Sequence, residues 1–457
     1  MSLNSPNTLY RYCRSIRWLI FVALTGTATL SFAWSDHTLG TWQALAAMPA
    51  IAGAPPVAAE TLDAFLAAED TGLQALLAQE EQWARRNVPV YPPQPDALQF
   101  RAGGPPATRR QRFMAALRIN PDCQLPLFLQ MRPGTQPPPG SNLPWTEVTT
   151  LRRDTTARET QYQRLHPGEQ VAVLEVVASA SAEPDDGLDI GLWEDNGTPS
   201  GRRYGFGKQP FGDPALEFSG QAPFHMGFFH ESWIIYKAAG FLRRTYPEYR
   251  IHLYRSLAAY ALKTGHPYWG WRFAGWALHY VQDLTQPYHA NVLPGVSTAR
   301  MLWINALDIA GWHGPKDRAI RLVSNRHLAL ENYQYHRMRD AYLHKNPMDA
   351  LLRATRNTSK DAAQAPWSDA TPRQVVSQQA YDWADRTDRM LEHALPAKYI
   401  SDPAYVFEQT EPDIKLFAVL QRAPQNMQDD MTQLVSELMQ HFGTQSRVFM
   451  ASFLPRP

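Results

Sequence analysis

The chain has 457 residues, a formal net charge of +1, 44% hydrophobic residues and only two cysteines. That length supports a large buried core, and the mixed composition excludes a disordered or collagen-like chain. The near-neutral charge argues against a partner that is a long polyanion, and two cysteines cannot make a disulfide-built scaffold.

Residues 1–33 read as an export signal. "MSLNSPNTLYRYCRSIR" carries Arg11, Arg14 and Arg17 and no acid; "WLIFVALTGTATLSFA" follows as an apolar run ending in Ser31-Phe32-Ala33. Small residues at the last and third-last positions suit a signal peptidase, and the run is short for a membrane span. The expectation is a secreted or periplasmic chain beginning at Trp34, with no transmembrane segment. Loss of the three arginines takes the net charge from +1 to −2. Cys13 leaves with them, so Cys123 has no disulfide partner and bound metal becomes a candidate for holding the fold or site together.

Beyond Trp34 the pattern is helices joined by Pro-rich loops, consistent with 37 prolines. Leu62, Phe65, Leu66, Leu73, Leu76 and Leu77 recur at helical spacing, and "NVPVYPPQP" ends that segment. Residues 130–146 form a second Pro/Gly break. "GEQVAVLEVVASASAEPDDGLD" has the valine content of a strand, but its length favours a buried helix ending at Pro184. The 185–222 loop has room for a short β ribbon. Helical signals resume over 225–249 and 251–265, then in "YWGWRFAGWALHYVQDLTQ", "RLVSNRHLALENYQYHRMRDAYL" and "SQQAYDWADRTDRMLEHAL". In the last stretch, 425–442, Met431, Leu434, Leu438 and Met439 form a packing face. The Trp-rich "YWGWRFAGW" reads as core, or as an aromatic wall for a substrate headgroup. The reading is mainly α: one multi-helix catalytic domain over 34–400, in which about 45–165 is an insertion, followed by a helical extension over 401–457.

The chemistry concentrates in "HYVQDLTQPYHAN". His279 and Asp283, four apart, share one face of a helix. Pro287 disfavours continuing that helix, so His289 lies past a bend. "RHLALENY" repeats the spacing with His327 and Glu331. His, Asp and Glu are the donors that an exported zinc protein without cysteine ligands must use. The start "WSDHTLGTW" adds His37 and, once Trp34 is the first residue, a free α-amine that chelates together with its neighbouring carbonyl. Upstream, "SAEPDDGLD" offers Asp185, with Asp186 and Asp189 as alternatives. "APFHMGFFHE" offers His225, with His230 as the alternative. His266, His313 and His336 read as structural or surface residues.

In combination these residues resemble the zinc-dependent phospholipase C family, whose superfamily includes the fungal single-strand-specific nucleases. The resemblance covers Trp34 to His37 and roughly 170–340. It implies a fold of helices around a cleft with three zinc ions. One ion would take His279, Asp283, Asp185 and His225. A second would take the Trp34 amine and carbonyl, His37 and the other oxygen of Asp283. The third would take His289, His327 and Glu331. The chain departs from the family in placing His37 only three residues after Trp34, and in the long loop between Asp185 and His225. The implied activity is secreted phospholipase C: a zinc-activated water splits phosphatidylcholine-like lipids at a membrane or micelle surface into diacylglycerol and a phosphorylated headgroup. Asp185 is the candidate catalytic acid–base. The alternatives are a zinc nuclease or nucleotidase, which a slightly acidic chain suits less well, and a non-catalytic exported helical protein.

Overall fold

A computed structural model describes residues 34–454 except 153–154, 213–216 and 408–409. The export signal read over 1–33 lies outside the described residues. Helices dominate, and the ones that build the site are numbered here in chain order. They are α1 His37–Leu45, α2 Asp70–Asn87, α3 Arg109–Leu117, α4 Val173–Ala180 and α5 Ala222–His225. Then come α6 Trp233–Ala238, α7 Pro247–Thr264, α8 Pro267–Asp283, α9 Pro287–Ala290 and α10 Thr298–Ile309. The last four are α11 Gly314–Leu343, α12 Ala350–Arg356, α13 Gln378–Ala394 and α14 Gln425–Ala451. Two short antiparallel ribbons complete the fold. Val57–Ala58 (β1) pairs with Gln170–Val171 (β4), and Phe128–Gln130 (β2) pairs with Tyr162–Arg164 (β3).

Helix α8 is the axis. Every residue from Tyr268 to Asp283 is buried, which explains its mixed aromatic and apolar sequence on all faces. Gly265, at φ 91°, closes α7, and Pro267 opens α8 at a position that needs no N–H, so the two helices return antiparallel. Trp269, Phe273 and Trp276 sit wholly inside the core, so the Trp-rich stretch is packing. On the other side α4 lies against α8 at Gly275. A Cβ there would stand 2.5 Å from Ala180 Cβ and 2.8 Å from the Val177 carbonyl oxygen, and only glycine permits that approach.

One apolar core surrounds α8 and draws on Leu73, Phe113, Val177 and Tyr254. A second joins Trp34 and Leu39 to Leu330, Leu391, Met431 and Phe442. Helix α14 enters both through Phe442 and Phe449. Among the described residues no helix is long and apolar enough to cross a membrane.

Three expectations change. The 62–87 segment is two helices, Leu62–Ala68 and α2, broken at Glu69. The 225–249 stretch is not continuous helix: residues 226–232 are irregular, because the Gly227 N–H donates to the His289 carbonyl at 2.8 Å. The described part of 185–222 contains no strand; left-handed glycines 191, 197, 205 and 207 turn it repeatedly. The ribbons lie upstream, and the valine-rich segment splits its ambiguity, with strand β4 at Gln170–Val171 followed directly by α4.

Candidate metal centre

The last turn of α8 carries His279 and Asp283, both with 0% exposure. His279 Nδ1 lies 2.8 Å from the Ser181 carbonyl, just past α4. A carbonyl only accepts, so Nδ1 holds the proton and Nε2 offers its lone pair to the site. Asp283 spreads its two oxygens. Oδ1 is 3.3 Å from His37 Nε2, whereas Oδ2 is 2.9 Å from His225 Nδ1 and 3.2 Å from His279 Nε2. One carboxylate thus faces two groups of donors.

His37 arrives at the first turn of α1. The Asp36 carboxylate caps that helix through the Leu39 N–H at 2.9 Å. His37 Nδ1 is 2.7 Å from Gln282 Oε1. The Gln282 amide nitrogen in turn donates to Thr41 and Ser446 hydroxyls, which fixes the amide orientation and turns His37 Nε2 inward. Trp34 is buried and donates its indole N–H to Thr285 Oγ1 at 2.9 Å, two residues beyond Asp283. The predicted mature N-terminus therefore lies against the end of α8. Its role as an amine ligand depends on cleavage after Ala33, which is outside the described residues.

Asp185 and His225 come from opposite sides. Asp185 sits in the wide turn Pro184–Leu188 after α4, which Gly187 closes at φ 116°. Pro223 lies in the first turn of the short helix α5, and His225 ends it. Asp185 Oδ1 is 3.6 Å from His225 Nδ1 and 3.7 Å from His279 Nε2. The alternatives separate clearly. The Asp186 carbonyl accepts from the Thr150 N–H, and the Asp186 side chain joins none of the ligand groups. Asp189 stands behind His225, 3.5 Å from its Nε2, and also accepts from Arg250 and Tyr280. His230 is packed near Tyr381 instead.

The third group gathers at α9 and α11. Pro287 opens α9 at its first turn, so the proline begins a new helical turn as well as interrupting α8. His327 Nε2 is 2.6 Å from Glu331 Oε1 across one turn of α11. The rings of His289 and His327 meet edge to face at 5.0 Å. Gln286 holds this group together: it donates to Glu331 Oε1 at 2.9 Å and accepts from the Tyr288 N–H.

The donor atoms of His37, His279 and Asp283 converge, as do those of Asp185, His225 and His279, and those of His289, His327 and Glu331. Two further observations fit a cation. His225 Nδ1 and His279 Nε2 face each other at 3.1 Å, a contact that either a proton on His225 or a metal between the two nitrogens satisfies. At 1% exposure, His289 has no side-chain hydrogen-bond partner among the described residues and meets only the His225 backbone, whereas buried polar atoms are ordinarily fully paired. Burial disfavours charge on His225, but Asp189 and Asp283 outweigh it and hold its pKa at about 10. Burial pushes His289 down to about 4 and His327 well below its ordinary value, which keeps both neutral as ligands must be.

The chain was compared with protein-family models, curated proteins and solved structures, and matches none of them.

Two openings lead to the donors. A small cavity of about 60 Å³ reaches His37 and Asp185 and is walled by Gln130, Thr156 and Tyr162, so the 45–165 segment borders the site. A larger cavity of about 320 Å³ ends at Tyr288 and His327 and is lined by Met226, Phe228, Ile235, Leu302 and Ile304. Three residues that sequence reading missed are Gln282, Gln286 and Ser181. Two of them sit inside "HYVQDLTQPYHAN", where buried glutamines on a ligand-bearing helix were the available signal.

Proposed function

We propose that the chain is an exported zinc-dependent phospholipase C. It cleaves the phosphodiester of a phosphatidylcholine-like lipid to diacylglycerol and a phosphorylated headgroup. The observation that carries this reading is the convergence of three His/carboxylate groups beside an apolar cavity. His and carboxylate donors without cysteine suit zinc. The ligand set is His279, Asp283, Asp185 and His225; then Trp34, His37 and Asp283; then His289, His327 and Glu331. Zinc held there lowers the pKa of a water and neutralises phosphate charge.

The chain's own residues do the rest. Asp283 ties two ligand groups together, and Gln282 and Gln286 keep their neighbours in register. Hydrolysis breaks the bond between phosphorus and the glycerol oxygen; water loses a proton and the leaving oxygen gains one. We assign that transfer to Asp185. Its side chain is 16% exposed, against 0–4% for His37, His225, His279 and Asp283 around it, so it can exchange protons with solvent. The cavity's lining is mainly apolar, with Met226, Phe228, Ile235, Leu302 and Ile304, which suits the acyl part of a lipid substrate.

The test is hydrolysis of phosphatidylcholine and of denatured DNA by the exported protein, with and without a chelator. Lipid turnover that the chelator abolishes is expected. Turnover of DNA alone would make the chain a nuclease, and no chelator-sensitive turnover of either would make it a non-catalytic helical protein.

A further inference from the structure

Helix α10, "TARMLWINALDI", is apolar on both sides yet lies at the surface. Its inner face gives Met301, Leu302 and Ile304 to the large cavity. Its outer face leaves Trp303 and Ile309 64% exposed, and Trp312, just beyond, is 69% exposed. The acid on this helix, Asp308, is occupied by His313 and Lys316 at 2.7 Å each. Helix α6 packs against α10 and leaves Trp233 69% exposed, while Phe241, past its end, lines the same cavity. Three tryptophans therefore stand out from the two helices that frame the cavity mouth. Exposed apolar surface of this kind marks a binding face.

Charge identifies the occupant. Segments 233–244 and 298–321 hold seven Lys and Arg against two Asp. Tryptophans amid cations match the interface of a phospholipid bilayer, where indoles sit at headgroup level and cations meet phosphates. A second copy of the chain fits poorly, because a two-fold contact would press this cationic rim against itself.

We infer that the Trp233–Trp303–Trp312 face docks the chain on a phospholipid bilayer, with the apolar cavity opening toward the lipid and ending at His327. This deepens the phospholipase reading and rests on it for the purpose of docking, but the binding itself is separable. Lipid extracted part-way from the bilayer would keep its acyl chains in the cavity while its phosphate reaches the ligand groups.

The experiment uses the metal-loaded chain and vesicles of a non-hydrolysable phosphonate analogue of phosphatidylcholine, with and without phosphatidylglycerol. Flotation measures binding, and brominated chains in the vesicle report tryptophan depth by quenching. Binding with quenching is expected. The variant W233S/W303S/W312S should lower vesicle affinity at least about tenfold, with its hydrolysis of a dispersed short-chain lipid unchanged. Absence of vesicle binding, binding that the variant does not weaken, or a dimer that the variant dissolves would each overturn the inference. Vesicle binding without any lipid turnover would remove the phospholipase reading and leave docking standing. Turnover of dispersed lipid without vesicle binding would do the reverse.

Discussion

At the scale of single residues, the ligands and the groups that aim them differ in how they can be read. His279 with Asp283 and His327 with Glu331 are legible because four residues make one helical turn. His289 is legible because Pro287 bends the chain beside them. The choice of Asp185 among three aspartates, and of His225 over His230, is not local. It depends on where α4 and α5 lie against α8. Gln282, Gln286 and the Ser181 carbonyl act across tertiary contacts and leave almost no mark in the sequence. Asp185 carries the sharpest prediction at this scale. D185N keeps an oxygen toward the metal but cannot accept a proton, so lipid turnover should fall roughly 10²–10⁴-fold with metal content nearly preserved. Unchanged turnover at unchanged metal content would exclude the acid–base role.

At the scale of elements, α8 and α4 are the pair that matters. Their contact at Gly275 brings Ser181 beneath His279 and starts the turn that presents Asp185. G275A should destabilise the chain by about 1–3 kcal/mol, measured by denaturant unfolding, because the new methyl meets the Val177 carbonyl rather than a flexible side chain. It should also weaken metal binding at the site, since the two helices must part. A stability equal to that of the unmutated chain would mean the approach is not tight. The long helices around this pair are visible in the sequence because Leu and aromatic residues repeat at helical spacing, as in Met431, Leu434, Leu438 and Met439. The break over 226–232 is not, since the hydrogen bond from Gly227 to His289 is made across more than sixty residues. The ribbons are equally hidden: β1 and β2 are only two and three residues long, and each pairs with a strand far along the chain.

At the scale of the whole molecule, two apolar cores meet along α14, and the ligand groups lie between α8 on one side and α11 on the other. One buried histidine outside the candidate ligand set makes this core sensitive to acid. His441 on α14 is held down to about 3, mainly by burial and further by Lys360. Its folded pKa lies below the unfolded value of about 6.5, so the unfolded chain binds the extra proton. Stability is full above pH 6.5 and declines as pH falls toward 3. Between pH 6.5 and 5 this one group should cost about 2 kcal/mol. In chelator, so that metal release does not contribute, H441L should flatten the acid side of the stability–pH curve; an unchanged slope would contradict the assignment. Most direct is the metal content of the purified chain, read by elemental analysis beside that of H279A and H289A. We predict zinc in an amount matching the three ligand groups, less in each variant, and lipid hydrolysis that tracks it. A chain that purifies without metal, takes up none when zinc is added, and folds equally well in chelator would rule out the metal centre.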